Sequence, residues 1–88
     1  MTRADTLARL AVCDAEAHAA LHALGVERPD SDDEVALACS EADAEHEAAQ
    51  GTAHAAVVAV LRRRGDALRL AHSYLRAVRR AHDEIERV

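Results

Sequence analysis

Between Val57 and Val88 the apolar residues recur at spacings near 3.5: Val57, Leu61, Leu68, Ala71, Leu75, Val78 and Ile85. That period belongs to a helix with one buried face. A second row at Leu70, Tyr74, Ala77, Ala81 and Val88 widens the face to roughly half the helix circumference. A face that wide is expected to touch more than one neighbour.

The rest of the chain has little other than helix to offer. Ala, Leu, Arg and Glu are strong helix formers, and there is one Pro and there are three Gly among 88 residues, so the fold class is all-α. One domain at most fits this length. Half of the residues are apolar, yet 22 of them are Ala, with no Phe or Trp and a single Tyr. An Ala buries about one methyl, worth roughly 0.8 kcal/mol, where a buried aromatic ring brings several times that. Ala-lined helices approach closely but need length or partners to bury enough area, so an oligomer or a docked protein partner is expected.

The net charge of −5 conceals two poles. Residues 1–50 carry 3 Arg against 12 acids, and residues 51–88 carry 8 Arg against 4 acids. Every basic residue is Arg, which together with the Ala content fits a GC-rich coding bias. Cys13 and Cys39 form no Cys-x-x-Cys motif and read as reduced thiols acting as small hydrophobes. No apolar run approaches a membrane span, and no secretory h-region opens the chain, so no membrane partner is expected. The expected location is cytoplasmic, or within an intracellularly assembled particle.

In chain order, Thr2 and Asp5 are placed as a near capping box for a first helix, 2–24, whose face is Leu7, Leu10, Cys13, Ala17, Leu21 and Leu24. Gly25 suits the left-handed residue that closes it, and Pro29 marks the loop. Ser31 and Glu34 spell a reciprocal cap for the next helix, with Asp32 and Asp33 at its positive end. Its stripe is Val35, Ala38, Cys39, Ala42, His46 and Ala49, and the period continues through Ala53, Val57 and Val60. One long central helix over 32–64 follows, with a break at Gly51 and Thr52 as the alternative. Arg64, Gly65 and Asp66 read as a stop followed by a start, giving a third helix over 66–87. The seven-residue phase through Val57, Arg64, Ala71, Val78 and Ile85 supports an unbroken helix over 52–88 instead. The expected architecture is a three-helix antiparallel bundle, or an extended helical hairpin with a long central helix, in a single domain.

Chemistry finds few footholds. His18 and His22 lie four apart on one face, a usable half of a zinc site. If the first two helices form a hairpin, Asp33 faces His22 and could add a third ligand, while Cys13 faces Ala42. These three are weak metal candidates, and no metal or other cofactor is expected. Asp43 and His46 have the spacing found in di-iron bundles, but the motif occurs once and with Asp for Glu. No convergent set of acids, bases or nucleophiles emerges, so no catalytic residue is assigned and the chain is read as not an enzyme.

Arg69, Arg76, Arg80 and Arg87 form one stripe, extended by Arg79 and by Arg62 to Arg64. In a hairpin about Gly65, Arg76, Arg79 and Arg80 face His54, Gly51 and Gln50, so much of the stripe is expected to be free. The leading reading is a helical assembly or adaptor protein that associates with itself or joins a larger complex. Its contact residues would be Arg69, Arg76, Arg79, Arg80, Ala71, Tyr74, Val78 and Ile85. The alternative is a regulator that tracks a nucleic-acid backbone with the Arg stripe.

Overall fold

A computed structural model describes residues 2–87. It is all-α, with α1 over Arg3–Ala23, α2 over Asp32–Ala49 and α3 over Ala55–Arg87. Thr2 and Asp5 make the complete capping box: Asp5 N–H donates to the Thr2 hydroxyl at 3.1 Å and Thr2 N–H donates to the Asp5 carboxylate at 3.2 Å. Gly25, at φ 96°, closes α1 with paired bonds from Val26 N–H to the Leu21 carbonyl and from Gly25 N–H to the His22 carbonyl. That closure turns Val26 inward, and it is buried beside Leu21. The Ser31 hydroxyl accepts from Glu34 N–H at 3.2 Å, but Glu34 does not reach back. Its carboxylate is held instead by the Arg28 guanidinium at 2.9 Å and by Arg28 N–H, so the expected reciprocal cap is only half formed.

Both α1 and α2 pack on α3 and, among the described residues, not on each other. Both run antiparallel to it. Arg3 reaches the Glu86 carbonyl near one end, while Asp32, Asp43 and Glu45 meet His72, Arg69 and Arg64 in turn toward the other. The two shorter helices therefore follow one another along a single long one, in a body of 54 × 23 × 18 Å. An 18 Å thickness is two helix layers. The extended hairpin is the arrangement found, and its long helix is the third in the chain rather than the second. The hairpin between α1 and α2 does not form. Each has a narrow stripe that one half of α3 covers, whereas pairing them together would leave the wider α3 stripe in water.

The core lies where the end of α1, the Val26 loop and the start of α2 converge on the middle of α3. Leu21, Val26, Val35, Leu68 and Leu75 are its largest fully enclosed side chains. The stripes read for α1 and α2 point into it, with Ala17 and Ala42 also buried. Val57 does not follow its row and is exposed, because α2 ends at Ala49 and leaves the first turn of α3 uncovered. Val88 lies outside the described residues.

The two expected helix boundaries exchange places. The break falls at Gly51, whose φ is 79°, after an extended Gln50. Thr52 hydroxyl donates back to the Ala48 carbonyl at 3.0 Å, and His54 Nδ1 accepts from Ala56 N–H at 3.1 Å to start α3. Gly65 is mid-helix and buried against Ala42. Burying Leu61 and Leu68 in one continuous phase outweighs the roughly 1 kcal/mol that an interior glycine costs a helix.

A Cβ built on Gly65 meets its nearest neighbours, Asp43, Arg69 and Ala42, at 3.5–3.8 Å, ordinary contact. Gly65→Ala is expected to stabilise the fold by about 0.5–1 kcal/mol through helix propensity. Gly51→Ala is expected to cost about 1–2 kcal/mol, because a side chain resists left-handed backbone. Urea midpoints of the two variants should therefore move in opposite directions; a stabilising Gly51→Ala would contradict the break there.

Candidate interaction surface

The long helix carries two seams, each with stations alternately four and three residues apart. The covered one runs through Leu61, Gly65, Leu68, His72, Leu75 and Arg79, and α1 and α2 lie over it. The other lies on the opposite side. One of its rows is Arg63, Leu70, Ala77 and Glu84, and the second is Ala67, Tyr74 and Ala81. Alternate four and three spacing is the pattern by which one helix lies along another. Leu70 is 72% exposed and Tyr74 44% at the middle of this open seam.

The tyrosine is tethered on one side. Its phenol sits beside the Cys13 thiol, and that contact, with partial desolvation and the Glu16 carboxylate, raises its pKa above the usual 10.0. Tyr74 thus remains neutral, one edge on α1 and the other open.

The Arg stripe is divided by its partners. Arg69 donates to Asp43 at 2.6 Å and to Asp66 at 2.8 Å, Arg64 to Glu45 at 3.0 Å, and Arg79 to Asp30. Arg64, Arg69 and Arg79 are therefore tied within the chain, so Arg79 departs from the expectation that much of the stripe is free. The hairpin about Gly65 on which that expectation rested does not exist, and Asp30 and Asp43 come within reach instead. Arg76 and Arg80 are exposed, and among the described residues no ion pair holds them. Of the other expected contact residues, Val78 is buried, and Ala71 and Ile85 are half-buried, with Ala71 packed on the core. Tyr74 is the one apolar member of that set on the open face.

The histidine pair has structural partners. His18 Nδ1 donates to the Asp14 carbonyl at 2.7 Å, and its Nε2 lies 2.7 Å from Asp30. A neutral imidazole has one N–H, so acceptors at both nitrogens favour the imidazolium. The pKa of His18 is raised above 6.5 by the Asp14 carbonyl bond first and the Asp30 bond second. Asp30 is lowered below 3.8, chiefly by the same bond from His18. His22 Nδ1 donates to the Val26 carbonyl at 2.9 Å, and Asp33 is exposed at the start of α2. With α1 and α2 unpaired, Asp33 does not face His22. Among the described residues no three His, Cys, Asp or Glu side chains converge on a metal position. Cys13 and Cys39 are free, and burial pushes the Cys39 thiol's pKa up.

Between α1 and α3 a cleft of about 300 Å³ is lined by Leu10, Asp14, Val78, Arg79 and His82, among others. Asp14 and Arg79 both serve the His18–Asp30 cluster, so the cleft's polar wall is part of the fold's own bonding. Among the described residues no helix is long and apolar enough to cross a membrane. Comparison with known proteins gives no match to a family model, a curated protein or a solved structure.

The exposure of Leu70 at the centre of the open seam escapes a reading that ranks residues by total apolar width. The alternating spacing was the available signal. Asp30, in the loop, gave none, since only the fold brings it to His18 and Arg79.

The His18–Asp30 bond makes stability depend on pH with a defined sign. The raised His18 contributes fully below 6.5 and loses its contribution as pH rises through its folded-state value. The lowered Asp30 contributes above 3.8 and loses it as pH falls through its own folded-state value. The difference in urea midpoint between the natural chain and His18→Gln should therefore be widest from about pH 4 to 6 and shrink above neutrality. A difference that grows with pH would contradict the charged pairing.

Proposed function

We propose that the protein is a non-enzymatic assembly or adaptor module, self-associating and acting through protein contacts along the open face of α3. The reading places it in the cytoplasm or in an intracellularly assembled particle. What supports it most is the uncovered seam: Leu70 and Tyr74 stand in water at the centre of a row of small residues on a 33-residue helix. The opposite face of that helix already holds the fold together, so burying this one does not disturb the core. A long helix with a second seam is a form by which helical proteins take a partner helix. Three members of the Arg stripe, Arg64, Arg69 and Arg79, are paired with carboxylates of the chain itself, which favours protein contacts over a phosphate backbone.

Leu70→Asp together with Tyr74→Asp should leave the helical circular dichroism unchanged and shift the urea transition little, because neither side chain is buried in the core. A photoreactive residue at position 70, irradiated in the cell, should form a protein adduct, self or other, that the same residue at position 19 does not. The absence of any adduct from position 70, with a monomeric purified chain, would overturn the reading.

A further inference from the structure

We infer that the occupant of the open seam is a second copy of this chain, lying antiparallel on the first about a two-fold axis between Ser73 and Tyr74. The inference rests on the proposed assembly role and specifies its partner. The order of residues along the face carries it. About that axis Arg63 falls opposite Glu84 of the other copy, and Leu70 falls opposite Ala77, a large side chain against a small one. In the second row, one residue off that register, Ala67 comes beside Ala81, and the two Tyr74 rings meet near the axis. The flank beside the seam repeats the complementarity one residue off that register: Arg62 comes beside Glu84, and Asp66 beside Arg80. Each of these charges thus falls beside the opposite sign in the other copy, Arg62 and Arg63 sharing Glu84, and Leu70 has room against Ala77.

A parallel pairing would set Arg63 on Arg63 and Glu84 on Glu84, with Leu70 on Leu70 and Ala77 on Ala77. Like charges facing one another in an interface are unfavourable and select against that orientation. Arg62, Arg63, Arg80 and Glu84 are all exposed, and among the described residues no ion pair holds them, so they are available to a second chain. Asp66 already receives Arg69 at 2.8 Å and has a second carboxylate oxygen to offer Arg80. The small residues at 67, 77 and 81 let the two helix axes approach closely. The contact from 63 to 84 runs about 30 Å, most of the length of α3. Because α1 and α2 cover the opposite side of α3, the second copy adds two layers without displacing either.

Sedimentation equilibrium of the purified full chain, with helicity checked by circular dichroism, tests the register by charge exchange. In an Arg62→Gln background, which removes the second cation placed opposite Glu84, adding Arg63→Glu alone or Glu84→Arg alone should weaken dimerisation about tenfold, since each places two like-charge contacts in one dimer. The double variant, Arg63→Glu with Glu84→Arg, restores opposite signs across the axis in the antiparallel pairing alone. It should return to within about threefold of the Arg62→Gln background, inside about 1 kcal/mol. A dimer in which the double variant stays as weak as either single one overturns the antiparallel register while leaving the assembly role standing. A chain monomeric at 100 μM, a concentration on the order of that where such contacts would register, overturns the second copy as occupant; a non-self adduct from position 70 would then preserve the broader reading.

Discussion

Leu21, Val26 and Val35 closing on Leu68 and Leu75 is the contact on which the rest of the molecule depends. It is where the chain concentrates its branched aliphatic side chains; away from it the packed positions are largely Ala, Cys or half-exposed. At about 25 cal/mol per Å² of apolar area, residues of that size outweigh the alanine contacts on either side. Three segments meet there because α1 closes with a glycine motif that swings Val26 inward and α2 restarts a few residues later. Both short helices are thus anchored at the ends they present to the middle of α3, and their far ends are held by thinner contacts.

Polar contacts define the rest of the assembly. Asp30 joins a loop to α1 through His18 and to α3 through Arg79. Asp43 and Glu45 fasten α2 to α3 through Arg69 and Arg64. These pairs are largely exposed and each contributes little to stability. Their role is register: the acid-rich first half of the chain has defined partners on the Arg-rich helix, and sliding either helix by a turn would separate them. The same pairing spends charge. Arg69 and Arg79 serve the fold, while Arg62, Arg63, Arg76 and Arg80 remain outward.

The two seams of α3 bear on the proposed assembly role. Folding a chain this small uses one face of α3 and leaves the other intact, so burial of a partner and burial of the core do not compete. The open seam is made of small side chains around Leu70 and Tyr74, an arrangement suited to close approach of another helix and unsuited to enclosing a small substrate. Its order of charges reverses about its own centre, which is the property a self-complementary surface needs.

Helicity, the inward faces of α1 and α2, the Thr2 cap and the Gly25 stop were legible in the sequence. Each depends on residues within one or two turns of one another, and such local patterns act whatever the remainder of the chain does. The two glycines were not separable by that means. Gly51 and Gly65 both interrupt an apolar period, and each can sit within a helix or end it. The difference lies in what packs on them: α2 presses Ala42 against Gly65, whereas a Cβ on Gly51 would meet nothing within 4 Å. The antiparallel arrangement of α1 and α2 on one shared partner was likewise a tertiary decision, because three amphipathic stripes can be paired in several ways and only their relative widths choose among them. Periodicity told where the wide face of α3 lay; the fold decided which half of it was already taken.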